Sequence, residues 1–297
     1  MKFHAVLNRH GGTLKTLDID AFASRMREKL VAAGHEVEIE IVEGKDVVDA
    51  LDRASRRRSV DAVIVGGGDG SVSAAAAALM GKKRALGILP AGTINLFARA
   101  LGMPLDLDDA IAVFAQGKTR QVDIATANGR PFVHQYSVGL HAKMVAIRDE
   151  MEFRSRWGKI RASARATWST LMNPPRMRVT IRADGARITT KTQGIGVSNN
   201  LFGEGHLPYA DDPAGGVLGL YVTRADRRRD LVRHFANMLI GRWDANPHVD
   251  ISQAHMIELE FYRVARRHRC VIDGELVPLE RKTRIEIHPG ALRVVAP

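Results

Sequence analysis

Three groups of residues in this chain have the types and spacing for chemistry on a phosphorylated ligand. Gly66–Ser71, with the sequence GGGDGS, follows the apolar run Val63–Val65 and opens onto an alanine-rich segment ending at Leu79. A strand, a glycine turn and a helix start together make a phosphate cradle, because free amides and the positive helix end point at one spot. Asp69 puts a carboxylate inside that cradle. At an effective dielectric of about 20 and a separation of roughly 5 Å, it would repel a phosphate charge by about 3 kcal/mol. The carboxylate makes sense if a divalent cation bridges it to phosphate, or if it stands at the edge and faces a reacting hydroxyl. Gly66, Gly67, Gly68 and Gly70 serve a tight turn without a ligand equally well. The loop is not a Walker A motif, since it lacks GK[ST], and Ser71 stands where GxGxxG needs its third glycine.

The second group is LPAGTINLFARALG, which supplies Gly92, Thr93 and Asn95. Thr93 and Asn95 either cap the helix beginning near Ile94 or donate hydrogen bonds to phosphate or nucleoside. The third is NRHGG, Asn8, Arg9, His10, Gly11 and Gly12, at the end of the first apolar run. Far along the chain, CVIDGELVP carries Asp273-Gly274 between apolar runs, a strong two-residue hairpin signal. On the residues alone, Glu275 is a turn-flanking surface acid and Asp123 a linker acid. No histidine pair has zinc-ligand spacing on a helix, His134 and His141 included. The single cysteine, Cys270, excludes an intrachain disulfide and suits a buried apolar position in a reducing compartment.

These groups need elements to position them. Strand-like and helix-like segments alternate through the first 125 or so residues, the pattern of a doubly wound parallel sheet with helices on both faces. The three loops follow the first, third and fourth strands, so they converge at the carboxyl ends of an open sheet, where such folds bind ligands. After Asp123 the segments Phe132–Gly139, Arg178–Ala183, Thr189–Ser198, Gly216–Val222, Met256–Phe261, Cys270–Ile272 and Arg284–His288 have strand character. Helices are expected at Arg154–Met172 and Arg227–Leu239. The sequence thus divides into an α/β domain at 1–124 and a mostly antiparallel β-sandwich at 125–297. The closing ALRVV is placed to add a strand to either.

The 297 residues carry a net charge of +11, a pI near 10.1 and 45% hydrophobic residues. A basic balance suits nucleic acid, anionic membrane or phosphorylated small molecules. Nucleic acid is disfavoured, because aromatics are 5% and no RNP, zinc-finger or basic-zipper pattern occurs. No apolar run reaches the roughly 18 residues of a spanning helix, so a cytoplasmic protein with at most peripheral membrane contact is expected. The segment RSRWGKIRASARATWSTLM places Trp157, Ile160, Ala164, Trp168 and Leu171 at near-helical spacing among basic residues. It suits an ordinary amphipathic helix, or a basic face resting on anionic headgroups.

GGGDGS, then GTINLFARALG, then the late DGE in this order resemble the diacylglycerol kinase catalytic-domain family, the bacterial lipid kinases related to sphingosine and ceramide kinases. SNN…PYADDPAGGVLGLYV resembles that family's middle glycine-rich segment. The GGDG core is shared with NAD kinases. The resemblance implies ATP and Mg²⁺ as cofactors and a lipid acceptor presented at a membrane surface, met in a cleft between the two domains. It implies that Gly66, Gly67, Gly68, Gly70, Ser71, Thr93 and Asn95 hold the nucleotide, with Asn8 through Gly12 as a neighbouring wall. It also implies Asp69, Asp123 and Glu275 as the catalytic acids, with Glu275 the base on the lipid hydroxyl. Departures stand at Leu96 and Gly215, where the family commonly has aspartate. The second puts a structural Mg²⁺ site in question, with Asp211 and Asp212 as nearby substitutes. The competing readings are an NAD kinase-like enzyme and a non-catalytic nucleotide- or lipid-binding module. A homodimer is left open.

Overall fold

Short apolar runs rich in Val, Ile and Leu form strands buried on both faces when helices cover a parallel sheet. AVIVGG and ALGILP are such runs, and every residue of both is buried. A computed structural model describes residues 1–149, Arg165, Trp168, 174–203, 207–224, Asp230 and 248–297. Its first half holds strands β1 (Lys2–Asn8), β2 (Glu36–Val42), β3 (Ala62–Gly67) and β4 (Ala85–Pro90). Helices α1 (Ile19–Ala32), α2 (Val47–Arg56) and α3 (Asp69–Leu79) alternate with them, followed by α4 (Leu96–Ala100) and α5 (Leu107–Gln116). The strands pair in parallel in the order β2-β1-β3-β4. Helix α1 packs with α5, and α2 with α3, which gives a helical layer on each face. Asp18 and Asp106 start α1 and α5 by accepting the Ala21 amide and the Asp108 and Asp109 amides respectively.

The second half holds β5 (Thr119–Ala127), β6 (Arg130–Phe132), β7 (Gln135–Gly139), α6 (Leu140–Asp149), β8 (Met177–Ala183), β9 (Ala186–Thr192) and β10 (Gly194–Asn199). Then come β11 (Leu218–Thr223), β12 (Val249–Ala254), β13 (Met256–Phe261), β14 (Arg269–Ile272), β15 (Glu275–Pro278) and β16 (Lys282–Val295). A six-stranded antiparallel sheet, β12-β11-β10-β7-β14-β15, faces the strands β16, β13 and β8 across a second core. Alternate residues fill it: Ile257, Leu259 and Phe261 from one side, Ile195, Val197, Leu218, Leu220 and Val222 from the other.

The closing ALRVV joins the first core, and the strand that it ends serves both. It is the end of β16, which pairs antiparallel with β13 at Lys282–Glu286 and parallel with β4 at Val294 and Val295. The register of β16 against β5 shifts between His288 and Leu292, where Gly290 has a φ of 63°. Ile285 and Ile287 therefore lie in the second core and Leu292, Val294 and Val295 in the first. Strand β5 crosses likewise, with Val122 and Ile124 in the first core and Ala125 and Ala127 in the second.

The expected strand Phe132–Gly139 is broken into β6 and β7. The amides of Val133, His134 and Gln135 all turn onto the Asp273 carboxylate at 2.9–3.0 Å, which takes them out of the sheet ladder. Helix α6 was not anticipated. The expected helices Arg154–Met172 and Arg227–Leu239 fall outside the described residues except for Arg165, Trp168 and Asp230, which are helical.

Candidate active site

The three glycine loops interlock at the carboxyl ends of β1, β3 and β4. Two positions show how closely. A Cβ on Gly12, whose φ is +39°, would lie 1.8 Å from the Ala91 carbonyl oxygen, and one on Gly92 would lie 2.7 Å from the Gly68 Cα. Side chains at either point would push the loops apart. Gly11 likewise meets the Gly67 Cα. At Gly70 a Cβ would meet nothing within 4 Å, so this residue of the first turn of α3 faces open space. The first helical bond of α3 runs from the Val72 amide to the Gly68 carbonyl, which leaves the amides before it at a positive helix end.

Asp69 sits in that first turn, and its carboxylate points across to the second loop. One oxygen accepts the Asn95 amide at 3.1 Å and the other the Leu96 amide at 2.7 Å. Asp69 thus caps α4 from outside the helix. Asn95, the residue before α4, forms no side-chain cap and has a left-handed φ of 56°. Its side-chain amide donates instead to the Pro90 and Gly92 carbonyls. Asn95, expected at the nucleotide, braces the loop from within through its side-chain amide. Asp69, expected to face an acceptor hydroxyl, points its carboxylate at the Asn95 and Leu96 amides.

Of the remaining nucleotide-wall residues, Thr93 is exposed at the loop tip and Ser71 lies against Gly67. Asn8 Oδ1 accepts the His10 amide. The Arg9 and His10 side chains turn outward to Glu43, His10 Nδ1 at 2.9 Å. They form a rim rather than a phosphate contact.

The distant DGE reaches α3 through its aspartate. Asp273 and Gly274 form the two-residue turn between β14 and β15, both with positive φ (46° and 87°), as a type I′ hairpin requires. Asp273 is half-buried, and its carboxylate accepts the Ser73 hydroxyl at 2.6 Å besides the three amides that interrupt β6 and β7. Burial pushes its carboxyl pKa up, and these four hydrogen bonds oppose the shift. Ser73 stands one turn beyond Asp69 on the same face of α3. One helix therefore carries the cradle at its start and grips the DGE turn one turn later. Asp273 and Ser73 were not singled out from the sequence: Asp273-Gly274 is a hairpin turn in pattern alone, and nothing local marks that its carboxylate turns inward.

Glu275 follows at the start of β15. Its side chain is 64% exposed and pairs with Arg130 of β6. Asp123 does not join it. That residue is 1% exposed, and its two carboxylate oxygens accept the Gly216 amide at 2.7 Å and the Gly290 amide at 2.9 Å. It fastens the β16 kink and the Gly216 turn where the two cores meet. Asp123 was expected among the catalytic acids; its carboxylate here holds backbone amides at the junction. Among the described residues no hydrogen bond or ion pair joins Asp69, Asp123 and Glu275 to one another.

His134 lies close to this junction. Its ring stacks on Phe202 at 5.4 Å, and Phe202 on Tyr221 at 5.1 Å. Desolvation lowers its pKa to about 4, with the Asp69 charge opposing. A second cavity, of about 220 Å³, opens beside β7 and is lined by Leu140, Met144, Ile195, Tyr221 and Val249, with Gln135 among its polar residues. The Gln135 amide is one of the Asp273 donors, so this apolar cavity and the DGE turn share a wall.

The glycine loops and α3 fit a nucleotide phosphate. Among the described residues no three His, Cys, Asp or Glu side chains cluster as metal ligands. Gly215 offers no carboxylate, and Asp212 Oδ1 is taken by the Ala214 amide. Asp211 stands against Gly203.

Residues 2–127 match the diacylglycerol kinase catalytic domain, and residues 135–296 the YegS C-terminal NAD kinase beta sandwich-like domain. An uncharacterized Synechocystis protein, sll0036, is 26% identical over 303 residues, which covers 97% of this chain and 67% of that protein. A probable lipid kinase YegS-like protein of Klebsiella pneumoniae is 44% identical over 87 residues, 29% of each chain. That match thus spans under a third of either chain. The crystal structure of a diacylglycerol kinase from Bacillus anthracis superposes with a TM-score of 0.74 at 20% identity, covering all of this chain and 97% of that one, a likeness of fold. With both halves matched in order, the chain belongs to the diacylglycerol kinase catalytic-domain family, a family of lipid kinases with a YegS-type sandwich.

Proposed function

We propose that this chain transfers the γ-phosphoryl group of ATP to the hydroxyl of a lipid, diacylglycerol or a related glycerolipid. The observation that carries the reading is the Ser73–Asp273 hydrogen bond, which ties the helix of the glycine cradle to the turn that presents Glu275. The amides at the start of α3 hold the anionic phosphates. Glu275, exposed at the mouth, takes the hydroxyl proton. The hydroxyl oxygen bonds to the γ-phosphorus, the bond to the β-phosphate oxygen breaks, and ADP leaves. Little covalent chemistry is asked of the protein, so positioning and electrostatics dominate. Mg²⁺ enters with the nucleotide as part of the substrate, and no step is assigned to a protein-held ion.

The apolar cavity beside Gln135 supports a lipid acceptor over NAD, because acyl chains bury more apolar surface there than a charged dinucleotide does. Among the described residues no helix is long and apolar enough to cross a membrane. We infer a cytoplasmic enzyme that meets its lipid at the membrane surface. The test is γ-labelled ATP supplied with dispersed diacylglycerol in one reaction and NAD in another. Label on the lipid alone is the expected outcome. Label on NAD makes the chain an NAD kinase, and ATP binding without label on any lipid of a total extract makes it a non-catalytic module.

A further inference from the structure

A groove of about 1100 Å³ lies along the second domain, and none of the glycine-loop or DGE residues borders it. Its floor is apolar, with Val138, Ala142, Phe261 and Leu279 all buried. Its rim is cationic, with Arg176, Arg178, Lys191, Arg263, Arg267 and Arg269. Among the described residues no aspartate or glutamate lines it, and Arg176, Lys191, Arg263 and Arg267 form no ion pair with any described carboxylate. Elsewhere on the described surface Arg53, Arg56, Arg57, Arg182 and Arg284 each pair with a glutamate or aspartate. Unpaired cations gathered on one rim repel one another, and their energy falls when an anion sits among them. Guanidinium groups suit phosphate in particular, which they meet with two parallel hydrogen bonds.

The apolar floor narrows the choice of anion. Arg178 lies over the Tyr262 ring at 4.5 Å, and that ring is 48% exposed. A half-exposed tyrosine with arginines around it suits the boundary between headgroups and acyl chains. We propose that this groove binds the phosphate-bearing headgroup of an anionic phospholipid in a membrane surface, at a site separate from the nucleotide and acceptor cleft. Val138 borders both this groove and the apolar cavity beside Gln135, so a bilayer held here lies next to that cavity. The site does not depend on the kinase reading, because binding is measured without turnover.

The experiment is co-sedimentation of the full chain with vesicles of phosphatidylcholine alone and of phosphatidylcholine with phosphatidylglycerol. The wild-type chain is expected to bind the second, more weakly as salt rises, and not the first. Each basic residue near an anionic surface contributes appreciably, so Arg263→Glu/Arg267→Glu is expected to lower partitioning at least about tenfold. Arg263→Gln/Arg267→Gln is the gentler pair, expected to fall in between, with an unchanged circular dichroism spectrum showing that the fold is kept. Arg27→Glu/Lys118→Glu, which makes the same change of charge on the first domain, is expected to bind as wild type. Equal loss in the groove and control pairs would mean unspecific basic charge and would overturn the proposal. So would absence of wild-type binding, full release by soluble glycerol phosphate (a free-phosphate site), or a single-stranded RNA that binds with the same dependence on Arg263 and Arg267.

Discussion

Asp69 shows how a carboxylate sits in a phosphate-shaped loop without repelling the phosphate. Its charge is spent on the Asn95 and Leu96 amides, which lack partners at the start of α4. Asp69→Asn replaces one acceptor by a donor that faces an N–H, so a loss of about 1–3 kcal/mol in stability is expected together with weaker nucleotide binding. Ser71→Thr keeps the hydroxyl and should change both far less; denaturant midpoints and nucleotide titrations on the two variants decide it. His134 gives a separate prediction. Above its ordinary pKa it is neutral folded and unfolded, and contributes nothing to the pH dependence. As pH falls from about 6.5 to about 4, the unfolded chain binds a proton there and the folded chain does not, so up to about 2–3 kcal/mol of stability is lost. His134→Phe should therefore show a smaller drop in denaturant midpoint than wild type between about pH 7 and about pH 4.5. An equal drop would place His134 in a solvated setting.

At the scale of elements, the question is whether the glycine loops hold a ligand or only turn the chain. Gly70 and Gly92 separate the two. Gly92→Ala forces a Cβ onto the Gly68 backbone and should destabilise the fold by about 1–3 kcal/mol. Gly70→Ala meets open space in a helical turn and should be neutral or stabilising by about 0.5–1 kcal/mol. If phosphate occupies that space, the same Gly70→Ala chain loses ATP affinity about tenfold or more while melting no lower than wild type. Unchanged ATP affinity would make the loop a structural turn. The positions of these loops were legible in the sequence, because strand, glycine and helix signals are local. What braces them was not. The Asp69 cap on α4 and the Ser73 grip on Asp273 join residues 26 to 27 and 200 apart, and no local pattern carries that pairing.

For the whole molecule, the alternation of the first half and the strand-rich second half were readable from periodicity. The way the halves are joined was less so. ALRVV is apolar enough for a strand in either domain, and only the kink at Gly290 lets one strand enter both cores. Asp123 was legible as an acid at the junction, but its two amide partners lie 93 and 167 residues away. Because β5 and β16 run through both cores, thermal unfolding should be a single transition followed alike by near- and far-UV circular dichroism. Asp123→Ala leaves two half-buried amides without acceptors and should lower stability by about 1–3 kcal/mol, with the halves beginning to melt apart. Two resolved transitions in the wild-type chain would contradict a shared frame.

The account centres on Glu275 as the base that a helix-borne cradle and the Asp273 turn bring to ATP. The direct measurement is transfer of labelled phosphate from ATP to diacylglycerol in vesicles by wild type and Glu275→Gln, with ATP affinity measured on both. The account predicts turnover lowered by roughly a hundredfold or more in the variant, with ATP affinity and melting temperature nearly unchanged. Wild-type turnover in Glu275→Gln would contradict it.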